Sequence, residues 1–127
     1  MILTKKLSNK SFAVYGLGVT GKSVINFFVK KGIKKISTYD DLEVKRRKSK
    51  YSLDSEKFKK SLISSDYIVI SPGIKVKDTK FKKFILKNRH KIITDIDLFY
   101  LFNPKIKTIV VTGTNGKSTT CKIIEHI

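Results

Sequence analysis

The sequence predicts an α/β fold: a Rossmann-like parallel sheet flanked by helices, then the opening strand, phosphate loop and helix of a second nucleotide-binding unit. Three observations predict it. Short apolar runs alternate with helical patterns along the chain, the signature of parallel strands joined by crossover helices. A glycine loop, Gly16-Leu-Gly-Val-Thr-Gly21, follows the first apolar run. A second, Thr112-Gly-Thr-Asn-Gly-Lys-Ser-Thr119, follows the last.

Each element has its own warrant. Residues 11–15 (Ser-Phe-Ala-Val-Tyr) form the first expected strand. Residues 21–31 carry Val24, Ile25, Phe28 and Val29 on one helical face, and Gly32 closes the helix. Residues 35–39 are a second strand ending at Asp40 and Asp41, and the basic run 45–50 reads as a solvated loop. Asp54 or Ser55 caps a helix bearing Phe58, Leu62 and Ile63. Residues 66–70 are apolar almost throughout, as a strand covered on both faces should be. Ser71-Pro-Gly73 then breaks the chain, Asp78 caps a helix with Phe81, Phe84 and Ile85, and residues 91–94 supply a fourth strand. A short apolar helix at 95–102 ends at Asn103-Pro104. Thr108, Ile109, Val110 and Val111 read as a buried strand, and Lys117 opens the last helix. The boundary falls after Thr94, giving one domain at 1–94 and a linker with the start of a second at 95–127.

Composition narrows the class. A chain of 127 residues with 40% hydrophobic content supports one domain with a real core and is too short for two ordinary ones. No run approaches the roughly 18 apolar residues of a membrane-crossing helix, and Met1-Ile-Leu-Thr-Lys-Lys-Leu7 leads into a polar segment, not a secretory apolar region. A single cysteine, Cys121, excludes an internal disulfide, fits a reducing cytoplasm and is expected in a packed core. His90 and His126 have no ligand-type neighbours and are expected at the surface.

The net charge of +18 comes with only three arginines, Arg46, Arg47 and Arg89, among 28 basic residues. Specific nucleic-acid sites lean on arginine forks and aromatic platforms. Here lysines are spread over nearly every segment, so no nucleic-acid partner is expected, and the charge serves at most to hold anionic ligands.

The two glycine loops carry the chemistry. The first satisfies G-x-G-x-x-G between a strand and a helix, with Asp40 at the end of the next strand. That arrangement places a diphosphate at a helix N-terminus and an acid near a ribose or base. It serves NAD and nucleotide sugars alike. In the second, Gly113, Thr114, Asn115, Gly116, Lys117, Ser118 and Thr119 are the residue types of an ATP phosphate cradle. Lys117 is the catalytic candidate, bridging the outer phosphates, and the Ser118 hydroxyl is the Mg²⁺ ligand candidate. The general nucleotide-binding spacing would need glycine where this chain has Val111.

That departure is informative, because Thr112-Gly-Thr-Asn-Gly-Lys-Ser-Thr119 resembles the loop of the muramyl ligases and their folylpolyglutamate synthetase relatives. With Gly16-Leu-Gly-Val-Thr-Gly-Lys-Ser23, Ser71-Pro-Gly-Ile74 and Thr94-Asp-Ile-Asp-Leu-Phe99, the whole chain resembles the N-terminal part of the D-glutamate-adding branch. The resemblance implies a monomeric, cytoplasmic, ATP- and Mg²⁺-dependent enzyme of peptidoglycan precursor synthesis. Its substrates would be UDP-N-acetylmuramoyl-L-alanine and D-glutamate, joined through an acyl phosphate. By the same resemblance Gly18, Val19, Thr20, Asp40, Asp41 and Gly73 hold the UDP substrate. An Asp-Thr-Arg triplet common in the family reads Asp40-Asp41-Leu42 here, with Lys45 a nearby substitute cation. The family's remaining metal ligands, carbamylated lysine and adenine pocket would lie beyond Ile127, so the chain is expected to be part of a longer enzyme and inactive alone. Other readings stay open: another muramyl ligase, an NAD-type dinucleotide-binding module, or a basic nucleic-acid-binding protein.

Overall fold

A computed structural model describes residues 7–126; the N-terminal run 1–6 and Ile127 lie outside the described residues. Four strands, β1 (Ser11–Tyr15), β2 (Lys35–Tyr39), β3 (Tyr67–Ile70) and β4 (Ile92–Ile93), form one sheet in the order β2-β1-β3-β4. Every pairing is parallel. The helices are α1 (Val19–Lys30), α2 (Glu43–Arg47), α3 (Ser55–Ser64), α4 (Lys82–Lys87), α5 (Asp95–Phe102) and α6 (Lys117–Glu125). The expected α/β architecture is therefore present: a parallel sheet with helices on both faces.

Strand alternation explains the two-sided core. Ala13, Tyr15, Tyr39 and Ile68 point to one face and pack with Phe58 and Leu62 of α3, Phe81 and Ile85. Phe12, Val14 and Val69 point to the other, against Val24 and Phe28 of α1 and Leu98 of α5. Rings dominate the first cluster, with Tyr15 edge-on to Phe81 at 5.3 Å and Tyr39 stacked on Phe58 at 5.4 Å between centroids. Such pairs add to the gain from burial itself. Val29 and Ile63, expected on buried helical faces, are exposed instead; each sits at the rim of a stripe that narrows to two or three residues.

Caps and tethers set the register. The Asp54 carboxylate, not Ser55, caps α3 by accepting the Lys57 N–H at 2.8 Å. Asp66 accepts the Ser11 N–H at 2.8 Å and the Ser11 hydroxyl at 2.9 Å, fastening the start of β3 to the start of β1. α5 begins with a full capping box between Thr94 and Asp97. After β2 the chain runs along its outer side: Thr38 donates its N–H to Tyr51 O at 2.9 Å and accepts from Leu53 N at 3.0 Å, a parallel bridge between Thr38 and Ser52.

Four sequence expectations need correcting. Asp78 does not cap a helix: it closes a 3-10 turn, Val76–Asp78, and α4 starts later at Lys82 without a side-chain cap. The basic run after β2 contains the short helix α2, supported by an Arg47–Glu43 ion pair at 2.6 Å. Residues 108–111 form no strand, and Ile109 and Val110 are exposed. A buried strand needs hydrogen-bonding neighbours on its sheet, and the described residues offer this segment none. Cys121 on α6 is exposed for the same reason, since no apolar surface covers that helix. His90 and His126 are exposed, as expected. Among the described residues no helix is long and apolar enough to cross a membrane.

Candidate functional site

The strand order reverses direction at β1, with β2 on one side and β3 on the other. In a parallel sheet the loops leaving two adjacent strands at such a point splay apart and open a crevice. Here they do: a cavity of about 380 Å³ lies at the carboxyl ends of β1, β2 and β3. Its walls are Gly18, Val19 and Thr20 from the first loop, Asp40, Asp41 and Lys45 after β2, and Pro72 and Gly73 after β3. All six residues expected at the first site thus line one cleft.

Two of the glycines are explained by packing. Gly16 has φ +98°, and a Cβ there would meet Ser71 Cβ at 2.7 Å. The Ser71 hydroxyl donates to Gly16 O at 2.9 Å, locking the first loop to the third-strand loop. A Cβ on Gly21 would overlap that same Gly16 carbonyl. Gly18 and Gly73 are different. Neither has a positive φ, and a Cβ on either would meet nothing within 4 Å. Both face the cleft.

α1 begins directly behind this loop. Gly18 is its N-cap, no side chain caps it, and its first turn carries no acidic residue. Unfilled N–H groups and the positive end of the helix dipole therefore face the cleft, an anion-accepting arrangement.

Asp40 departs from the simple ribose-binding picture. It is 4% exposed, its Oδ2 accepts the Leu17 N–H at 2.6 Å and its Oδ1 accepts the Leu42 N–H at 2.8 Å. Lys45 Nζ lies 3.8 Å from Oδ2. The carboxylate is thus engaged by backbone, and its evident work is to hold the glycine loop against the end of β2. Asp41 accepts the buried Tyr15 hydroxyl at 2.8 Å. That hydroxyl also lies 2.6 Å from Thr79 Oγ1. Burial, partly offset by the Thr79 contact and reinforced by Asp41, pushes the Tyr15 phenol well above its ordinary value.

Sequence reasoning missed Arg46. Its guanidinium donates to the carbonyls of Asp40 at 2.6 Å and Asp41 at 2.9 Å and lies 5.0 Å from the Tyr39 ring centre. The signal was available as an arginine among lysines just after an acidic strand end. Leu42 is exposed at the cleft rim.

The second loop stands apart from this cleft, and none of Gly113, Thr114, Asn115, Gly116, Lys117, Ser118 or Thr119 lines it. All seven are exposed. Gly113 has φ +139° and Gly116 φ +76°, so the loop turns through conformations that favour glycine. Gly116 is the N-cap of α6, again without a side-chain cap. One ammonium, three hydroxyls and an open helix N-terminus, with no carboxylate in the loop, are a donor set suited to a phosphate chain.

Residues 10–93 match the family described as Mur ligase MurD-like, N-terminal domain. Similar curated proteins carry the name UDP-N-acetylmuramoylalanine–D-glutamate ligase. One from Buchnera aphidicola subsp. Acyrthosiphon pisum is 43% identical over 93% of this chain and 27% of its own length. One from Buchnera aphidicola subsp. Baizongia pistaciae is 34% identical over 98% of the chain and 29% of its own, and one from Rickettsia bellii is 41% identical over 93% and 26%. The chain thus spans under a third of the length of these curated relatives. On the family match, the fold and these relatives, the chain belongs to the MurD-like Mur ligases.

Proposed function

We propose that the chain supplies the UDP-substrate-binding domain, residues 1–94, and the opening of the ATP site, residues 95–127, of an ATP-dependent ligase. That enzyme joins D-glutamate to UDP-N-acetylmuramoyl-L-alanine in peptidoglycan precursor synthesis, in the cytoplasm and as a monomer. The family match over residues 10–93 supports this division, and the names of the relatives support the reaction.

The observation that carries the substrate reading is the pair Gly18 and Gly73. Neither backbone angle nor packing asks for glycine there, and both line the cleft at the N-terminus of α1. Glycine at such positions lets a ligand's phosphates approach the backbone closely. Val19 and Thr20 lie against the diphosphate or uridine. Asp41 is the acid left facing solvent at the β2 end, and Asp40 contributes by fixing the Leu17 and Leu42 amides. Lys45, which lines the same cleft, supplies the cation that Leu42 does not.

In the full enzyme the γ-phosphoryl group of ATP passes to the substrate carboxylate. The amine of D-glutamate attacks the resulting acyl phosphate, giving an amide, ADP and phosphate. Such transfer depends mainly on positioning and charge neutralisation. Lys117 would offset charge on the outer phosphates, the Gly113–Gly116 backbone would orient them, and Ser118, with Thr119 beside it, would hold Mg²⁺, which supplies further charge neutralisation when bound. The 127-residue chain alone has no turnover on this reading.

Calorimetry with UDP, the UDP-muramoyl substrate and NAD⁺ tests the substrate assignment. The expected result is binding of the uridine ligands in preference to NAD⁺. Gly18→Ala and Gly73→Ala should each weaken that binding about tenfold, roughly 1.4 kcal/mol, with the melting temperature unchanged. A clear preference for NAD⁺ would move the chain to the dinucleotide-binding reading.

A further inference from the structure

A second cavity, of about 250 Å³, lies beside the substrate cleft between α1 and the segment that follows α2. Four lysines line it: Lys22 from α1, Lys45 from α2, and Lys48 and Lys50 from the segment beyond. Leu17 and Tyr51 provide apolar wall, and no carboxylate residue lines it. Among the described residues, ion pairs account for Lys45 alone of the four, and that one is a long 3.8 Å contact to Asp40.

The wall is held in place. Thr38 on β2 bonds the backbone of both Tyr51 and Leu53, and its hydroxyl lies 3.1 Å from the Ser49 hydroxyl. The three lysines at 45–50 are therefore carried on a segment clamped to the sheet. Four lysines among the lining residues, with no carboxylate residue beside them, set up a positive field that an anion relieves. Lysine is a point-charge ligand for phosphate oxygens. The cavity has room for one or two phosphate groups.

We propose that this cavity is a second anion site, for a compact phosphate-bearing small molecule, separate from the glycine-loop cleft. Lys45 and Leu17 join the two sites. Lys45 lines both cavities and touches Asp40. Leu17 lines the second cavity, and its N–H is the one Asp40 holds. An anion that draws Lys45 out of the cleft alters the charge seen by a ligand there, and linkage makes the effect reciprocal.

The test is amide chemical-shift mapping of the 127-residue chain titrated with inorganic pyrophosphate. The glycine-loop cleft can also accept pyrophosphate, so the two sites are separated by residue and by variant. Saturable shifts at Ser49, Lys50 and Tyr51 are expected. They should persist in Gly18→Ala and fall at least tenfold in affinity in Lys48→Ala/Lys50→Ala, whose uridine-ligand binding stays as in the parent. Shifts confined to residues 16–21 would overturn the proposal, as would non-saturating shifts spread over all lysine-rich segments. A single-stranded oligonucleotide that binds the same residues more than tenfold tighter than pyrophosphate would overturn it in favour of nucleic acid. A cleft that fails to bind UDP while the Ser49–Tyr51 shifts remain would remove the substrate reading and leave this one standing.

Discussion

The Asp40 carboxylate accepts the Leu17 N–H at 2.6 Å, tying the first glycine loop to the end of the neighbouring strand across 23 residues of sequence. Its second oxygen holds the Leu42 N–H. Removing it strands two backbone donors, the Leu17 N–H in a buried environment and the Leu42 N–H in a half-buried one, each worth about 1–3 kcal/mol when buried and unsatisfied. Asp40→Ala should lower unfolding stability by about 2–4 kcal/mol in urea titrations and weaken uridine-ligand binding at the same time. A variant with parental stability and weakened binding would return Asp40 to the role of direct ligand.

Gly21→Ala should be among the most damaging small changes in the domain. The added methyl overlaps the Gly16 carbonyl, which is itself pinned by Ser71. Core overpacking costs about 1–3 kcal/mol, measurable as a drop in melting temperature that Gly18→Ala does not share. Equal losses at the two positions would mean that the distinction between packing glycines and cleft glycines is wrong.

Acid should loosen the sheet at a defined place. Backbone hydrogen bonding from Ser11 holds the Asp66 carboxyl below its ordinary value. Asp54 and Asp97 are lowered likewise by the N–H groups of Lys57 and Thr94. A depressed folded value means the stabilisation is complete above the unfolded carboxylate range, near pH ~4. It disappears as pH falls below that range toward the folded values. Asp66→Asn should flatten the dependence of stability on pH below ~4. An unchanged slope in that variant would assign the acid loss elsewhere.

Base should act through Tyr15. With its value raised by burial, the contribution of this phenol is present below the ordinary tyrosine range and lost as pH climbs past it. Ultraviolet titration should find Tyr15 silent until the alkaline unfolding transition. Tyr15→Phe should remove that silent fraction, and a full tyrosine count ionising near pH ~10 before unfolding would contradict it.

In a full-length enzyme, Lys117→Ala should reduce ligase turnover by on the order of 10²–10³, the usual cost of losing one preorganised stabiliser of developing charge. The assay is phosphate release from ATP that depends on both the UDP-muramoyl substrate and D-glutamate. An active Lys117→Ala enzyme, or turnover by residues 1–127 alone, would mean that the roles given to this loop are mistaken.

Much of this was readable from local pattern. Val14, Val69 and Phe28 follow strand and helix periods, and the glycine spacing 16-18-21 announces the loop whatever surrounds it. What local pattern does not carry is how a side chain's bonding capacity is spent. Asp40 reads as a ligand because its distance from the glycine loop is right, yet its Oδ2 meets the Leu17 N–H only once two strands are side by side. The failure at residues 108–111 has a related cause. Apolar residues in sequence state a demand for burial, and the neighbours that would meet it are not among the described residues.

The Thr38–Ser52 bridge also bears on how the molecule keeps to itself. The sheet ends at β2, whose outer backbone groups would otherwise offer a template to a strand from another molecule. The chain's own return segment already occupies that template at Thr38, next to the strand's end, and Lys48 and Lys50 just before it add like charge. Breaking the bridge with Leu53→Pro, which removes the donor to Thr38 O, should therefore show first as self-association at high concentration.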